Sequence, residues 1–548
     1  MKKTDTQKHR WPEGAIVYQI YPRSFYDSNG DGIGDIPGII KKLDYLKDLG
    51  VNAIWLSPFY PSPMADFGYD VADYCDVDPI FGELEDMDEL LKEAHKIGVK
   101  VIVDLVPNHT SDEHEWFRQS KQSREDKYSD WYVWKDPKGH DRYGQPIPPN
   151  NWLELLTGES AWQWEPERQQ FYLHSFDIKQ ADLNWSNPEV REAFKEIMRF
   201  WLDRGVDGFR VDAVSFMAKD PQFRDEPLNP HYKPGPHTWK YLKLEHPYNQ
   251  GWPPMYAYLS EMAAVLKEPK YSHSHRFMVT EAYTNGDDPV PEYLAFYEGM
   301  DPEVAAPFNF EGLKLPWRAD MWRKFLKNFH TALDDFSPLC VPSYAFGNHD
   351  QNRLASRLDE PAARAAAVLL LTLPGMAFIY DGDEIGMQNG HIPPELVQDP
   401  GAKGGFGRDP ERTPLQWSPA PNAGFSTSSQ TWLPVADNYK TVNVETESQD
   451  PDSFLSLYRQ LTQLRNTSKS LRYGNLEVLD IGDDKVLCFT RTEARQRHLV
   501  LVNFSKEPQN LTVEPLGRFV LSSDPKSMLP STKGKLHLRA HEAAIFVD

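Results

Sequence analysis

The chain has 548 residues and a formal net charge of −22 at pH 7. A chain of this length is too long for a single hydrophobic core, so two or three domains are predicted. Its negative charge argues against nucleic acids and anionic membranes as partners. The charged N-terminus does not resemble a secretory signal, and no later stretch approaches the roughly 20 apolar residues of a membrane span. Three scattered cysteines offer neither a disulfide framework nor metal spacing. We therefore expect a cytoplasmic protein, either a monomer or a homodimer.

A first strand is predicted over residues 15–21, and a loop rich in Asp, Asn and Gly follows it. Oxygen-bearing groups alternate along this loop as they do in calcium loops, although Gly38 replaces the bidentate Glu that ends an EF-hand. We predict a structural Ca²⁺ here, with Mg²⁺ as an alternative, and no organic cofactor. The predicted ligands are Asp27, Asn29, Asp31, the backbone carbonyl of Ile33, and Asp35.

Strand and helix patterns then alternate along most of the chain. Apolar residues recur at helical spacing over 36–49 and 87–97, and these segments flank strand patterns at 53–56 and 99–106. This alternation predicts parallel strands with right-handed crossovers. Five more strands are expected near 208–214, 277–281, 307–310, 344–350 and 376–380, and a last helix at 452–464. Eight such strands predict an α/β fold, the (β/α)8 TIM barrel.

Two further segments do not follow this alternation. Residues 109–176, rich in Trp, Pro, Asn and charge, follow the third strand, where barrel enzymes insert a small domain that shapes the substrate pocket. Short alternating strands after residue 470 predict a C-terminal antiparallel β-sandwich over 471–548. The barrel itself would comprise residues 11–108 and 177–470.

Carboxylates follow four of the predicted strands at their C-terminal ends, namely Asp104, Asp212, Glu281 and Asp350. Active sites of such barrels lie at this end. Period two places Arg210 on the same side of its strand as Asp212, so we expect it to lower the pKa of Asp212. With neither a cysteine nucleophile nor a glycine-rich phosphate loop, the converging carboxylates indicate glycoside hydrolysis. Asp212 then suits the nucleophile and Glu281 the acid/base.

Residues 104–109, 180–185, 208–214, 280–283 and 347–350 resemble the five sequence regions of glycoside hydrolase family 13, the α-amylase family. The fifth region reads Gln-Ala-Asp-Leu-Asn here, where the family normally has Pro in second place. The resemblance implies that Asp212 is the nucleophile, Glu281 the acid/base and Asp350 the stabiliser of the transition state. It also implies that His109 and His349 bind the glycone sugar.

Residues 67–70 and 407–417, with the calcium loop, are similar to the α-glucosidases and oligo-1,6-glucosidases of that family. In these relatives an acid and an arginine close the pocket behind the non-reducing sugar, and a tyrosine is the stacking platform. The matching residues are Asp66, Arg408 or Arg412, and Tyr69, which join Arg210 as predicted substrate-binding residues. A closed pocket implies an exo-acting enzyme.

Two positions bear on specificity. A small residue after the nucleophile goes with α-1,4 bonds in these relatives, so Ala213 favours maltose-type substrates. Residues 155–159 read Leu-Leu-Thr-Gly-Glu where relatives carry a Phe-Gly-Gly, so recognition beyond the first sugar differs from theirs.

The sequence thus predicts a retaining, exo-acting α-glucosidase that hydrolyses maltose and short malto-oligosaccharides through a covalent glucosyl-aspartate. A transglucosidase, an oligo-1,6-glucosidase or a maltose isomerase on the same fold is the alternative. The Arg-x-Asp-Arg-Asp string typical of sucrose-isomerising relatives is absent after Phe310. A non-catalytic, amylase-like transporter partner is a remote alternative, since such relatives have lost the catalytic carboxylates that this chain retains.

Overall fold

The computed structural model describes residues 9–235, 238–284, 286, 288–513, 517–527, 529 and 535–548. Within these residues, an 8-stranded parallel sheet forms the centre, with the spatial order 6-5-4-3-2-1-8-7 when the strands are numbered along the chain. A parallel bridge between Asn309 and Tyr344 joins the two end strands and closes the barrel. The predicted TIM barrel is therefore confirmed. Barrel strands 1 to 8 are Ile16–Ile20, Ala53–Leu56, Lys100–Leu105, Gly208–Val211, Phe277–Thr280, Ala305–Pro307, Ser343–Ala345 and Met376–Tyr380.

Helices cover the outside of the barrel because each presents an apolar stripe to the strands. The helix predicted over 36–49 is divided at Lys42, which leaves helical geometry (φ −107°, ψ 6°). The Lys42 ammonium there lies 4.1 Å and 4.0 Å from the centroids of the Tyr26 and Trp417 rings. The longer helices are Leu84–Lys96, Pro188–Arg204, Met255–Leu266, Val290–Met300, Ala319–Phe336, Glu360–Thr372 and Phe454–Thr467. The shorter α-helices are Pro22–Phe25, Ile36–Lys41, Leu43–Asp48, Glu115–Ser120, Glu311–Lys314, Leu354–Arg357, Val444–Glu447 and Lys469–Tyr473.

Barrel strands 3, 4 and 5 lie side by side, and their register positions the carboxylates that follow them. Arg210 pairs with Asp104 across strands 3 and 4. A Cβ at Gly208 would collide with the carbonyl oxygen of Phe277, so strand 4 needs glycine where strand 5 approaches this closely. Arg210 therefore points into the barrel beside the ends of both neighbouring strands.

Three long excursions leave the C-terminal rim of the barrel. The first lies between strands 3 and 4 and contains a 3-stranded antiparallel sheet of Trp134–Lys135, Gln170–Leu173 and Trp162–Glu165. The second joins strand 4 to the helix Met255–Leu266, and the third joins strand 8 to the helix Phe454–Thr467. Only the first was expected from the sequence. The remaining short strands of the first excursion are His109–Ser111, Gly139–His140, Pro146–Ile147 and Gln180–Asp182.

The C-terminal region is antiparallel, as predicted. Side chains along the strand Val486–Glu493 alternate between its two faces. Cys488 packs with residues of a two-stranded ribbon, whereas Phe489 on the other face packs with the barrel. The strand Lys535–Leu538 was not predicted. Among the described residues, no helix has the length and apolar character that crossing a membrane requires. A 5-stranded sheet comprises, in spatial order, Asn475–Leu479, Val486–Glu493, Gln496–Asn503, Ala543–Val547 and Arg518–Ser522, and a 2-stranded ribbon comprises Gln509–Thr512 and Lys535–Leu538.

Candidate active site

Three carboxylates meet at the C-terminal rim of the barrel. Asp212 follows strand 4, Glu281 follows strand 5 and Asp350 follows strand 7, and all three line one cavity of about 720 Å³. Only 7% of Asp212 is exposed, and the side chains of Glu281 and Asp350 are 11% and 18% exposed. The structure thus brings together acids that lie far apart in the sequence, in a cavity large enough for a small-molecule ligand.

The guanidinium of Arg210 is shared among three carboxylates. Its Nη1 lies 2.6 Å from Oδ1 of Asp212 and 3.0 Å from Oδ1 of Asp104, and its Nη2 lies 3.0 Å from Oε2 of Glu281. The side chain of Arg210 is only 2% exposed, so it supplies a positive charge where water supplies little screening.

Contrary to the prediction from the sequence, the pKa of Asp212 is raised, although Arg210 acts to lower it. Burial raises the pKa of Asp212 well above its usual range, and the nearby carboxylates of Glu281, Asp104 and Asp350 add to this effect against the attraction of Arg210. One cation divided among several anions cannot offset both burial and like-charge repulsion. The prediction was wrong because only the cation was visible in the local sequence.

The residue after Asp212 orients Glu281. Ala213 adopts a φ of 47°, in the left-handed region that non-glycine residues seldom occupy. Its N–H donates a hydrogen bond to Oε2 of Glu281 at 2.8 Å. Backbone strain is therefore stored between the two acids, where it fixes their relative position.

The pKa of Asp350 is lowered, whereas that of Asp212 is raised. Its Oδ1 accepts hydrogen bonds from Nη2 of Arg412 at 2.9 Å and from Nη1 of Arg408 at 3.3 Å, and its Oδ2 lies 3.3 Å from Nε2 of His349. Burial alone would raise the pKa of Asp350, but these neighbours hold it well below its usual range. Burial lowers the pKa of His349 so far that its ring is neutral, and the two arginines therefore supply the positive charge.

At the inner end of the cavity, Arg408 joins two acids. Its Nη2 lies 2.6 Å from Oδ1 of Asp66, and its Nε lies 2.9 Å from Oδ2 of Asp399. Gln180 donates a second hydrogen bond to Asp66 at 3.1 Å. The sequence left Arg408 and Arg412 as alternatives. The structure brings both arginines to the site, with Arg408 lining the cavity and Arg412 fully buried behind Asp350.

Asp399 was missed by sequence reasoning. It lies in an irregular loop, and no motif marks it. Besides the side chain of Arg408, it accepts a hydrogen bond from the Arg408 backbone N–H at 2.5 Å and from that of Gly401 at 3.0 Å. Asp399 therefore holds both the guanidinium and the loop that carries it.

Tyr69 and the two predicted histidines form one packed group. The Tyr69 ring is stacked on His349, with centroids 5.3 Å apart and planes 4° apart. Nε2 of His109 lies 3.0 Å from the carbonyl oxygen of Tyr69, and burial lowers the pKa of His109 to about 4. Tyr69 and His109 line the cavity. Both histidines are therefore neutral at pH 7 and can donate or accept single hydrogen bonds.

Most of the remaining cavity wall comes from the three excursions, and its other residues, Tyr283, Thr284, Lys314 and Gln351, follow barrel strands 5, 6 and 7. These residues were not predicted. The aromatic residues of the wall stand in loops without strand or helix periodicity, so composition was the only available signal. The unpredicted aromatic lining residues are Phe176, Phe216, Trp239, Tyr241, Tyr283 and Phe406.

The loop predicted to bind Ca²⁺ is a tight turn away from this cavity. Oδ1 of Asp27 accepts a hydrogen bond from the N–H of Asn29 at 3.0 Å, and Oδ1 of Asp31 accepts one from Ile33 at 2.8 Å. Oδ1 of Asp27 also accepts a hydrogen bond from the N–H of Gly30 at 2.6 Å, so both of its lone pairs are engaged. Oδ1 of Asp31 keeps a second lone pair, and Ca²⁺ prefers oxygen ligands. Asp35 instead caps the next helix. In the described chain, no three His, Cys, Asp or Glu side chains are placed to hold one metal ion. A cation would thus rely on amide and carbonyl oxygens as well.

Known proteins resemble this chain in sequence and in fold. The alpha amylase catalytic domain family matches residues 19–474. A relative from Apis mellifera named alpha-glucosidase is 43% identical over 507 residues, which cover 91% of this chain and 86% of the relative. A relative from Parageobacillus thermoglucosidasius named oligo-1,6-glucosidase is 38% identical over 540 residues, which cover 91% of each. The crystal structure of an alpha-glucosyl transfer enzyme superposes with a TM-score of 0.87 at 38% identity, over 98% of this chain and 100% of that one. The chain therefore belongs to the α-amylase family of glycoside hydrolases.

Proposed function

We propose that this enzyme is a retaining, exo-acting α-glucosidase that releases terminal glucose from maltose and short malto-oligosaccharides. The observation that carries the proposal is the convergence of Asp212, Glu281 and Asp350 in a cavity whose inner end holds the buried Arg408–Asp66 pair. A buried, charged pair of this kind suits the hydroxyl groups of one terminal sugar, and we expect it to exclude a longer chain.

In the proposed reaction, Asp212 attacks the anomeric carbon while Glu281 donates a proton to the departing oxygen. Arg210, which touches both acids, holds them in place. The ionised Asp350 stabilises the positive charge that develops on the sugar ring. Water then attacks the glucosyl-Asp212 ester, Glu281 accepts its proton, and Asp212 leaves as a carboxylate.

The preference for α-1,4 bonds is part of the proposal. Ala213 lines the cavity beside the nucleophile, and its single methyl group leaves room at the bond to be cleaved. Size differences of this kind are worth about 1–3 kcal/mol. The relatives named alpha-glucosidase and oligo-1,6-glucosidase are both similar to this chain, so the linkage has to be measured.

A time course of products from maltose, isomaltose, sucrose and maltotriose tests the proposal. We expect α-glucose as the first product from maltose and maltotriose, with isomaltose cleaved more slowly. β-Glucose as the first product would contradict retention. Longer or rearranged disaccharides as the main products from concentrated maltose would instead favour the alternative, a transglucosidase, which the structural similarity to an alpha-glucosyl transfer enzyme keeps open.

Two further features complete the proposal. A cytoplasmic location agrees with the three cysteines, Cys75, Cys340 and Cys488, which are all unpaired. A monomer or a homodimer is proposed, and gel filtration with light scattering distinguishes them.

Ca²⁺ binding at the Asp27 loop is proposed as a structural feature. A bound ion stabilises the folded chain, so adding Ca²⁺ to chelator-treated enzyme is expected to raise Tm by several degrees. Asp31→Asn is expected to remove this rise, whereas Asp48→Asn, on the neighbouring exposed helix surface, is expected to retain it. Mg²⁺ in a parallel titration tests whether it substitutes. A Tm that does not respond to either ion would contradict the proposal.

Asp399→Asn is expected to weaken substrate binding by positioning Arg408 less firmly. Losing one charge from a buried, hydrogen-bonded group of this kind should raise KM for maltose by about tenfold, near 1.4 kcal/mol, with a smaller change in kcat. Glu395→Gln, an exposed charge change in the same loop, is the control. Equal KM values for the two variants would contradict the role of Asp399.

Asp104→Asn is expected to shift the pH profile. Burial raises the pKa of Asp104 to about 7 and that of Asp212 above its usual range, so the Asp212 carboxylate is lost as pH falls through the raised value. Removing the charge of Asp104 lowers the pKa of Asp212. The acid limb of kcat/KM on maltose should therefore move to lower pH. Asp44→Asn, an exposed change, should leave it in place, and an unmoved limb in Asp104→Asn would contradict this coupling.

A further inference from the structure

The cavity changes character between its inner end and its mouth. At the inner end, Asp66 and His109 are 3% and 1% exposed, whereas Leu242 at the mouth is 45% exposed. The charged groups already described lie at the inner end. Between them and the mouth stands a largely apolar surface, here called the outer wall, formed by Leu155, Leu156, Trp239 and Phe406.

Three separate loops build the outer wall and hold one another in place. The Trp239 and Phe406 rings are stacked, with centroids 5.2 Å apart and planes 11° apart. Nε1 of Trp239 donates a hydrogen bond to the carbonyl oxygen of Leu155 at 2.6 Å, which uses the only polar atom of the indole. A Cβ at Gly404 would collide with the carbonyl oxygen of Leu156, so the loop that carries Phe406 packs closely on it. The wall is therefore preformed.

Some polar side chains near the outer wall are engaged within the protein, whereas the Tyr241 hydroxyl and Nδ1 of His246 are buried without a hydrogen-bond partner among the described residues. Lys314 donates a hydrogen bond to Oγ1 of Thr284 at 3.1 Å, and Asn229 donates one to the carbonyl oxygen of Leu242 at 2.9 Å. Nε2 of His246 lies 2.9 Å from the carbonyl oxygen of Tyr241. The four side chains of the outer wall offer no free polar atom, because Nε1 of Trp239 is already bonded. A second sugar placed against them would leave hydroxyl groups without partners, and unpaired polar groups lose affinity on burial. An aromatic group would lose nothing and would gain from burial.

We propose that the outer wall selects aromatic alcohols as aglycones and as acceptors of transferred glucose, an inference that rests on the α-glucosidase function proposed above. In the transfer step, the oxygen of the alcohol attacks the anomeric carbon of the glucosyl-Asp212 ester. The bond from that carbon to Asp212 breaks and releases the carboxylate. Glu281 takes the proton of the alcohol, so that the step balances without a co-reactant.

Competition between two acceptors tests the inference. The intact enzyme receives α-glucosyl fluoride as donor, with benzyl alcohol and glucose at equal concentrations as acceptors. Because fluoride has almost no aglycone surface, its release reports the inner end alone. We expect benzyl α-glucoside to exceed the disaccharide products by about tenfold, since one buried ring gains the corresponding free energy.

Variants of Trp239 and Phe406 test whether the outer wall creates the preference for benzyl alcohol over glucose. Trp239→Ala and Phe406→Ala are each expected to reduce the ratio of benzyl α-glucoside to disaccharide products by about tenfold. This ratio reports acceptor choice independently of the rate of fluoride release. Trp239→Phe keeps a ring and should keep most of the preference. Tyr143→Ala removes an aromatic ring that is 72% exposed in the inserted domain, and it serves as the control. If alanine disturbs the loops and fluoride release falls, Phe406→Leu removes the ring while keeping most of the volume.

The outcomes separate the two proposals. A wild-type enzyme that releases no fluoride would overturn the α-glucosidase function and the inference with it. Fluoride release with glucose as the preferred acceptor would overturn only the inference. A benzyl alcohol preference that survives both Trp239→Ala and Phe406→Leu would show that the outer wall does not create it, which also overturns the inference.

Discussion

Replacing Glu281 by glutamine is expected to lower kcat for maltose by about 10²–10⁴-fold, because the variant cannot donate a proton to the departing oxygen. The amide keeps nearly the same size, and it still accepts a hydrogen bond from the N–H of Ala213, which donates to Oε2 of Glu281 at 2.8 Å in the native chain. Maltose binding, measured by calorimetry, should therefore change little.

α-Glucosyl fluoride makes this prediction sharper. Fluoride departs without protonation, so Asp212 can still be glucosylated in Glu281→Gln. The second step lacks its base, and the glucosyl-enzyme should accumulate. We expect a burst of about one fluoride per enzyme, followed by slow turnover. Glu298→Gln, an exposed change on the helix after the same strand, is the control. Maltose turnover at the native rate in Glu281→Gln would contradict its assignment as acid/base.

Local patterns were enough to predict the barrel. Each strand is a short apolar segment, and four of these segments run into an acid at the end where barrel active sites lie. The secondary structure differs from the prediction where sequence periodicity does not decide the local conformation. Lys42 interrupts its helix where its ammonium group packs on two aromatic rings, and the strand Lys535–Leu538 is too short for its alternation to stand out.

The candidate site was predictable only in part. Strand ends indicated Asp212, Glu281 and Asp350, but Asp66 and Arg408 are 342 residues apart in the chain, and no local pattern connects them. Their pairing was expected solely from the family resemblance. The family resemblance did not indicate Asp399, which lies outside the predicted helices and strands and acts through Arg408.

Electrostatics and loops were the least predictable. The pKa of Asp212 depends on how deeply the fold buries it and on how many anions share Arg210, and neither is visible from the two residues alone. The outer wall arises where three irregular loops meet, and the stacked rings of Trp239 and Phe406 lie far apart in sequence. Sequence periodicity carries no information about contacts between distant loops.

Replacing Asp212 by asparagine is expected to remove activity more completely than the change at Glu281. An amide does not attack the anomeric carbon to form the glucosyl ester, so kcat should fall by about 10⁴-fold or more on maltose and on α-glucosyl fluoride alike. No burst of fluoride should appear. This absence distinguishes a lost nucleophile from a lost acid/base, since only Glu281→Gln still completes the first step.

Asp207 at the other end of the same strand supplies the matched control. It is 1% exposed, and it contacts Nη1 of Arg276 at 2.6 Å and Nζ of Lys100 at 2.9 Å. These contacts lie at the N-terminal rim, where barrel residues support stability and take no part in chemistry. Asp207→Asn should therefore lower Tm while the remaining folded enzyme keeps its kcat. Asp212→Asn should lose kcat with Tm retained or raised, because burial and the neighbouring carboxylates disfavour the charge that it removes. A fluoride burst from Asp212→Asn, or equal losses of kcat in both variants, would contradict the placement of the nucleophile at the C-terminal rim.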